Sequence, residues 1–161
     1  VDTSVLSRFG SIRRADLLES WQPLISPVGV LAEIDRSARG AIVSSVRKLR
    51  DARVLTAAPP ASQAALEKVR AKDPRALLSD VDTEVLALGL EHGLPVLSDD
   101  QRLVDTGSEL GISCYDMVDI LGALKQAKVL DPSGMRGIIE ALERQPSPRR
   151  FRPHDREGLL R

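Results

Sequence analysis

Apolar residues in this chain fall into short runs and helical stripes that take turns along its length. Val1-Asp2 reads as the end of a strand, with a few residues expected ahead of it, and Thr3-Ser4 can turn the chain into a helix. Ala15 to Trp21 is a short helical segment, and Pro23-Leu24-Ile25-Ser26 a buried strand. Pro27 suits a helix first turn, where its missing N–H costs nothing. The pattern then predicts a helix from Val28 to about Arg50, interrupted at Gly40, that buries Val30, Ile34, Ala38, Ala41 and Ile42. A strand over Ala52 to Ala57, a polar helix over Ser62 to Ala71 and a turn at Asp73-Pro74 follow.

The second half is more sharply punctuated. Ser79 to His92 has a cap-like serine, apolar residues at Val81, Val85 and Leu88, and a stop at Gly93. Leu94 to Leu97 predicts a strand, Gln101 to Leu110 a helix stopped by Gly111, and Ile112 to Tyr115 another strand. Asp116 is placed to cap a helix over Val118 to Lys128, and Asp131-Pro132-Ser133 opens one that runs to about Arg144. This alternation implies an α/β fold, a three-layer sandwich with a central, mostly parallel sheet flanked by helices. One domain over 1–144 is expected, with a Pro/Arg-rich arm over 145–161.

In such a sheet, ligands bind at the carboxyl ends of the strands, so acids from distant strand ends can meet. Asp2 ends the first strand, and Ser98-Asp99-Asp100 follows Val96-Leu97. Each acid alone is equally well a helix cap. Asp82 is different. On a wheel of about 100° per residue, Leu78, Val85, Leu86 and Gly89 surround it, while Thr83, Glu84, Ala87 and Glu91 fall on the opposite, solvated side. A carboxylate on an apolar stripe needs a cation or a dense set of hydrogen bonds, because burying it unpaired costs several kcal/mol. Glu33 lies at the edge of its own stripe, with Arg36 three residues on as an ordinary ion-pair partner.

Composition narrows the chemistry. The 161 residues suffice for one domain. Aromatic residues make up only 2%, so base stacking is not the main binding device. Lys plus Arg and Asp plus Glu are both 23, so no overall charge draws the chain to nucleic acid or an anionic surface. The single cysteine, Cys114, excludes an internal disulfide and a thiolate cage. No apolar run approaches the roughly 18 residues of a membrane span, and a soluble, cytoplasmic protein is expected. His92, near the apolar side of its helix, reads as a packed imidazole. An all-carboxylate site suits Mg²⁺ or Mn²⁺ rather than zinc.

Four segments in order carry a family resemblance: Val1-Asp2-Thr3-Ser4-Val5-Leu6, Pro27-Val28-Gly29-Val30-Leu31-Ala32-Glu33-Ile34, Asp82-Thr83-Glu84-Val85-Leu86-Ala87-Leu88 and Leu97-Ser98-Asp99-Asp100. Together they resemble the PIN-domain ribonucleases, which include toxins of toxin–antitoxin pairs. By position, the resemblance implies that Asp2, Glu33, Asp82 and Asp100 are metal-binding catalytic acids. It makes Asp99 a further ligand, and Thr3 and Ser98 supporting residues. It also implies Mg²⁺ or Mn²⁺, a single-stranded RNA substrate, an antitoxin as partner and dimers, with no membrane partner. Two departures stand out: the short separation between Asp2 and Glu33, and the absence of the basic character common among the toxins. Arg8, Arg13, Arg14, Arg36 and Arg39 are candidates for holding the RNA backbone, and Arg149, Arg150 and Arg152 for meeting a protein partner.

Alternatives from other classes remain. A non-catalytic interaction module would keep the acids as caps and salt bridges. Phosphatases and receiver domains also place Asp at strand ends, but the phosphatase pattern needs a second Asp where Ser4 stands, and a receiver needs a late-strand Lys that is not evident.

Overall fold

The computed structural model describes residues 1–21 and 23–161. Its strands are short and parallel. β1 (Leu24–Ser26) pairs with β2 (Leu55–Ala57), Ile25 opposite Thr56, and β3 (Val96–Leu97) pairs with β4 (Cys114–Tyr115). These are two separate pairs rather than the single central sheet expected. Val1 and Asp2 lie between them. The Val1 nitrogen donates to Ile25 O at 2.6 Å, Ser26 Oγ to Val1 O at 2.5 Å, and the Asp2 N–H to Leu97 O at 3.0 Å. Val1 and Asp2 thus bridge β1 and β3 just before α1 (Thr3–Ser11) begins.

Helices supply most of the mass. The helix expected over Val28 to Arg50 is split as predicted near Gly40, into α2 (Val28–Asp35) and α3 (Gly40–Asp51). Ala38, in the break, is exposed rather than buried. α4 (Gln63–Lys72) packs on α5 (Asp80–His92), which also meets α6 (Gln101–Glu109) and β3. α7 (Met117–Gln126) and α8 (Pro132–Glu143) follow, and Ala15–Trp21 forms a 3-10 helix. Caps explain the starts: Ser79, Asp100, Asp116 and Asp131 each accept from N–H groups of the helix they precede. Gly93, at φ 62, takes the left-handed conformation that closes α5.

The core is aliphatic, as the composition implied. Leu6, Phe9, Leu18, Ile34, Leu86, Leu103, Ile120 and Leu124 are among its fully buried side chains. α5 is buried nearly all round: Thr83 and Ala87, placed by the wheel on a solvated side, are 5% and 0% exposed. His92 at its end is exposed, not packed. The tail also departs from expectation. Instead of a free arm, it carries α9 (Pro153–Leu160), which packs on α7 and α8 and buries Leu159, with Phe151 and Leu160 against the core. Among the described residues, no helix is long and apolar enough to cross a membrane.

Candidate active site

Asp2 sits at the junction of the two strand pairs and is 3% exposed. It is the N-cap of α1, as the cap reading allowed. Its Oδ1 accepts from the Thr3 N–H at 2.6 Å, and its Oδ2 from Ser4 Oγ at 2.5 Å, Ser98 Oγ at 2.9 Å and the Ser4 N–H at 3.2 Å. Four donors and the positive end of α1 offset the cost of burying this carboxylate.

Two links run out from Asp2. Thr3 Oγ1 donates to Glu33 Oε2 at 2.5 Å, which, with the Thr3 N–H on Asp2, joins the first two acids through one residue. Arg36, considered as a partner for Glu33, instead donates from Nε to Ala32 O at 3.1 Å. In the other direction Ser98 Oγ accepts the Asp100 N–H at 3.1 Å, and Ser4 Oγ accepts the Asp99 N–H at 2.8 Å. In the sequence Ser4 stands in the turn into α1, in the first motif and where a phosphatase pattern needs Asp, with no role of its own at the site. A hydroxyl two residues after an acid that ends a strand was the available signal for its role.

Asp100 is exposed and caps α6, accepting from Arg102 N at 2.8 Å and Leu103 N at 3.2 Å. Asp82 is half-buried in a capping box with Ser79. Its Oδ2 accepts from Ser79 Oγ at 2.8 Å and Ser79 N at 3.1 Å, while its own N–H donates to Ser79 Oγ. So the hydrogen bonds demanded by its place on the helix come from a cap. The start of α5 is nonetheless drawn to the site: a Cβ on Gly29 would lie 2.9 Å from Val81 Cγ2, and Glu33 is one turn along α2 from Gly29. Arg102 Nη1 donates to Leu77 O at 3.0 Å, which ties the start of α6 to the loop before α5.

Asp99 takes a different part. Its side chain is 2% exposed; Oδ2 meets Arg8 Nε at 3.1 Å, and Oδ1 lies 2.8 Å from Arg149 Nε, an ion contact along which the N–H does not point. Burial pushes the Asp99 carboxyl above the ordinary range, against the pull of Arg149 and Arg8. With both oxygens facing guanidinium groups, it is occupied as an ion-pair partner, not presented as a further metal ligand.

Of the cations considered for RNA, Arg8 is thus engaged with Asp99. Arg14 pairs with Asp16, and Arg13 and Arg39 are exposed.

Asp2, Glu33, Asp99 and Asp100 are therefore linked through Thr3, Ser4 and Ser98, whereas Asp82 bonds only to Ser79 and stays outside that network, so the acids form no tight cage. Among the described residues, no three His, Cys, Asp or Glu side chains form a group that could hold a metal ion. The donor chemistry still suits Mg²⁺ or Mn²⁺, which are commonly held by one or two carboxylates with water and substrate phosphate completing the shell.

A family model described as a PIN domain matches residues 1–154. The chain belongs to the PIN-domain family. The match spans all four acid motifs and the segment that carries Arg149. PIN domains are nuclease-type hydrolases with an α/β fold, and divalent metal is typical of them. No curated protein matches the chain.

Proposed function

We propose that this PIN domain is a metal-dependent endoribonuclease that hydrolyses phosphodiester bonds of single-stranded RNA, with Asp2, Glu33, Asp82 and Asp100 as its catalytic acids. The observation that carries the reading is the buried Asp2 carboxylate, joined by Thr3 to Glu33 and by Ser98 to the Asp100 turn. The four donors meet the cost of burying Asp2, and the second carboxylate, Glu33, reached through Thr3, is what a cap alone does not call for. The expected three-layer sandwich belongs to the same reading, with Val1-Asp2 as the middle of the sheet.

Asp2 and Glu33 would hold the cation, and Asp82 and Asp100 would reach it directly or through water. When bound, Mg²⁺ or Mn²⁺ supplies charge neutralisation on the phosphate and a more acidic water. The protein's own part is orientation. Ser4 and Ser98 fix one Asp2 oxygen, and Thr3 fixes one Glu33 oxygen. Asp2, Asp82 and Asp100 each sit at the N-terminal end of a helix, α1, α5 and α6. RNA is drawn by the cation and by exposed Arg13 and Arg39 rather than by net charge.

A role as the toxin of a toxin–antitoxin pair, an antitoxin partner and a homodimer rest on the family resemblance, and a cytoplasmic location on the lone cysteine and the lack of a long apolar run. Of the arginines assigned to a partner, Arg149 is engaged with Asp99 and Asp116, while Arg150 and Arg152 are exposed.

Asparagine separates cap from ligand, because its side-chain carbonyl still accepts a capping N–H but carries no charge. Asp82→Asn and Asp100→Asn are expected to keep the folded state while cutting Mn²⁺-dependent cleavage of a fluorescent single-stranded RNA by on the order of 10²-fold or more. Undiminished cleavage by both variants overturns the assignment. Absence of specific Mn²⁺ uptake by the wild-type chain in calorimetry favours the non-catalytic module.

A further inference from the structure

After α8 the chain runs from Gln145 to Arg152 without regular structure, yet it is fastened at several points. Gln145 Nε2 donates to Arg8 O at 3.4 Å, Arg8 Nη1 to Ser147 O, and the Arg149 N–H to Leu142 O at 3.2 Å. The Arg149 guanidinium then bridges two strand ends. It reaches Asp99, just past β3, and its Nη2 lies 3.4 Å from Asp116 Oδ2, just past β4. The ring of Phe151 backs it at 5.6 Å.

An ion pair this buried adds little net stability, because desolvation consumes most of the attraction. What the guanidinium groups supply is position: Arg8 Nε donates to one Asp99 oxygen, while Arg149 sets its charge against the other and donates from Nη2 to Asp116, so its planar fork spans both strand ends. Here the gripped acid lies between Ser98, which donates to Asp2, and Asp100, one of the proposed catalytic acids. Moving Asp99 therefore moves both neighbours.

We propose that Arg149 and Asp99 are positioning residues, with the 145–151 segment acting as a clamp that holds the Ser98–Asp100 turn against Asp2. The inference rests on the nuclease reading for its catalytic consequence, but not for its structural one. Asp99 is there to be gripped. The tail, although remote in sequence, is part of the site.

Hydrogen–deuterium exchange on the metal-free protein tests the clamp directly. Arg149→Ala is expected to speed exchange of the Asp99 and Asp100 amides about tenfold or more, with the Ile42–Leu49 stretch of α3 unchanged. Arg149→Lys, which keeps the charge and loses the fork, is expected to show part of the effect and carries the measurement if the alanine variant does not fold. Unchanged exchange at 98–100, or an equal rise in α3, overturns the proposal.

In RNA cleavage, Arg149→Ala should lower kcat with KM unchanged, and adding it to Asp99→Asn should cost little more than Asp99→Asn alone. A raised KM at constant kcat would make Arg149 an RNA contact and overturn the clamp. If the wild-type protein cleaves no RNA with any divalent cation, the nuclease reading falls while the exchange result still decides the clamp.

Discussion

Ser98 Oγ donates to Asp2 Oδ2 at 2.9 Å across 96 residues of sequence, and neither side chain is more than 3% exposed. The same oxygen accepts the Asp100 N–H, so one hydroxyl satisfies a buried carboxylate and a turn amide together. Ser98→Ala removes both bonds without adding bulk. It should destabilise the fold by about 1.5–3 kcal/mol, the scale of a buried hydrogen bond to a charged group, read from urea unfolding. A loss below about 0.5 kcal/mol would mean that Asp2 does not depend on this donor.

Asp73 gives a pH signature at a second place. The Leu78 and Leu77 N–H groups donate to its two oxygens at 2.8 and 3.0 Å and hold its carboxyl below the ordinary range, helped by Arg102. A lowered folded-state pKa means stability that is present above the ordinary carboxylate range and lost as pH falls through the folded value. The difference in Tm between wild type and Asp73→Ala should therefore be largest near neutral pH and shrink towards pH 3. A difference that stays constant over that span rules this linkage out.

Lys128 closes α7 at φ 57, a left-handed conformation that disfavours side chains bearing a Cβ. Its N–H donates to Lys125 O and the next to Leu124 O, the usual pattern of a helix ending at glycine. Lys128→Gly should stabilise the protein by roughly 0.5–1 kcal/mol, the relief of strain less the extra chain entropy, seen as a rise in Tm. No rise would show that the lysine is held there without strain.

That same residue shows where sequence reading stopped. The α5, α7 and α8 starts were legible because Ser79, Asp116 and Asp131 are the residue types that accept helix N–H groups. The ends were less so: α1, α3 and α7 turn at Arg13, Arg53 and Lys128, all left-handed without being glycine, and α7 stops at Gln126, short of the predicted Lys128. The wheel misjudged Thr83 and Ala87 because α5 is covered by α4, α6 and β3, so it has no broad polar face to contrast with Asp82. The tail was read from its prolines and arginines, while its docking depends on single apolar residues such as Leu159, too sparse to register as a pattern. For the site, the motif acids could be found as residue types at strand ends. The pairing of Asp99 with Arg149 could not, because only the folded tail brings them together.

Val1 and Asp2 join the two strand pairs through two main-chain hydrogen bonds and one from Ser26 Oγ, and Asp2 is also the acid from which the site's hydrogen bonds radiate. Architecture and chemistry therefore share a keystone. Loosening it would part β1 from β3 and release Thr3, Ser4 and Ser98 from their acid in the same event, so the proposed chemistry depends on the seam that holds the strands together.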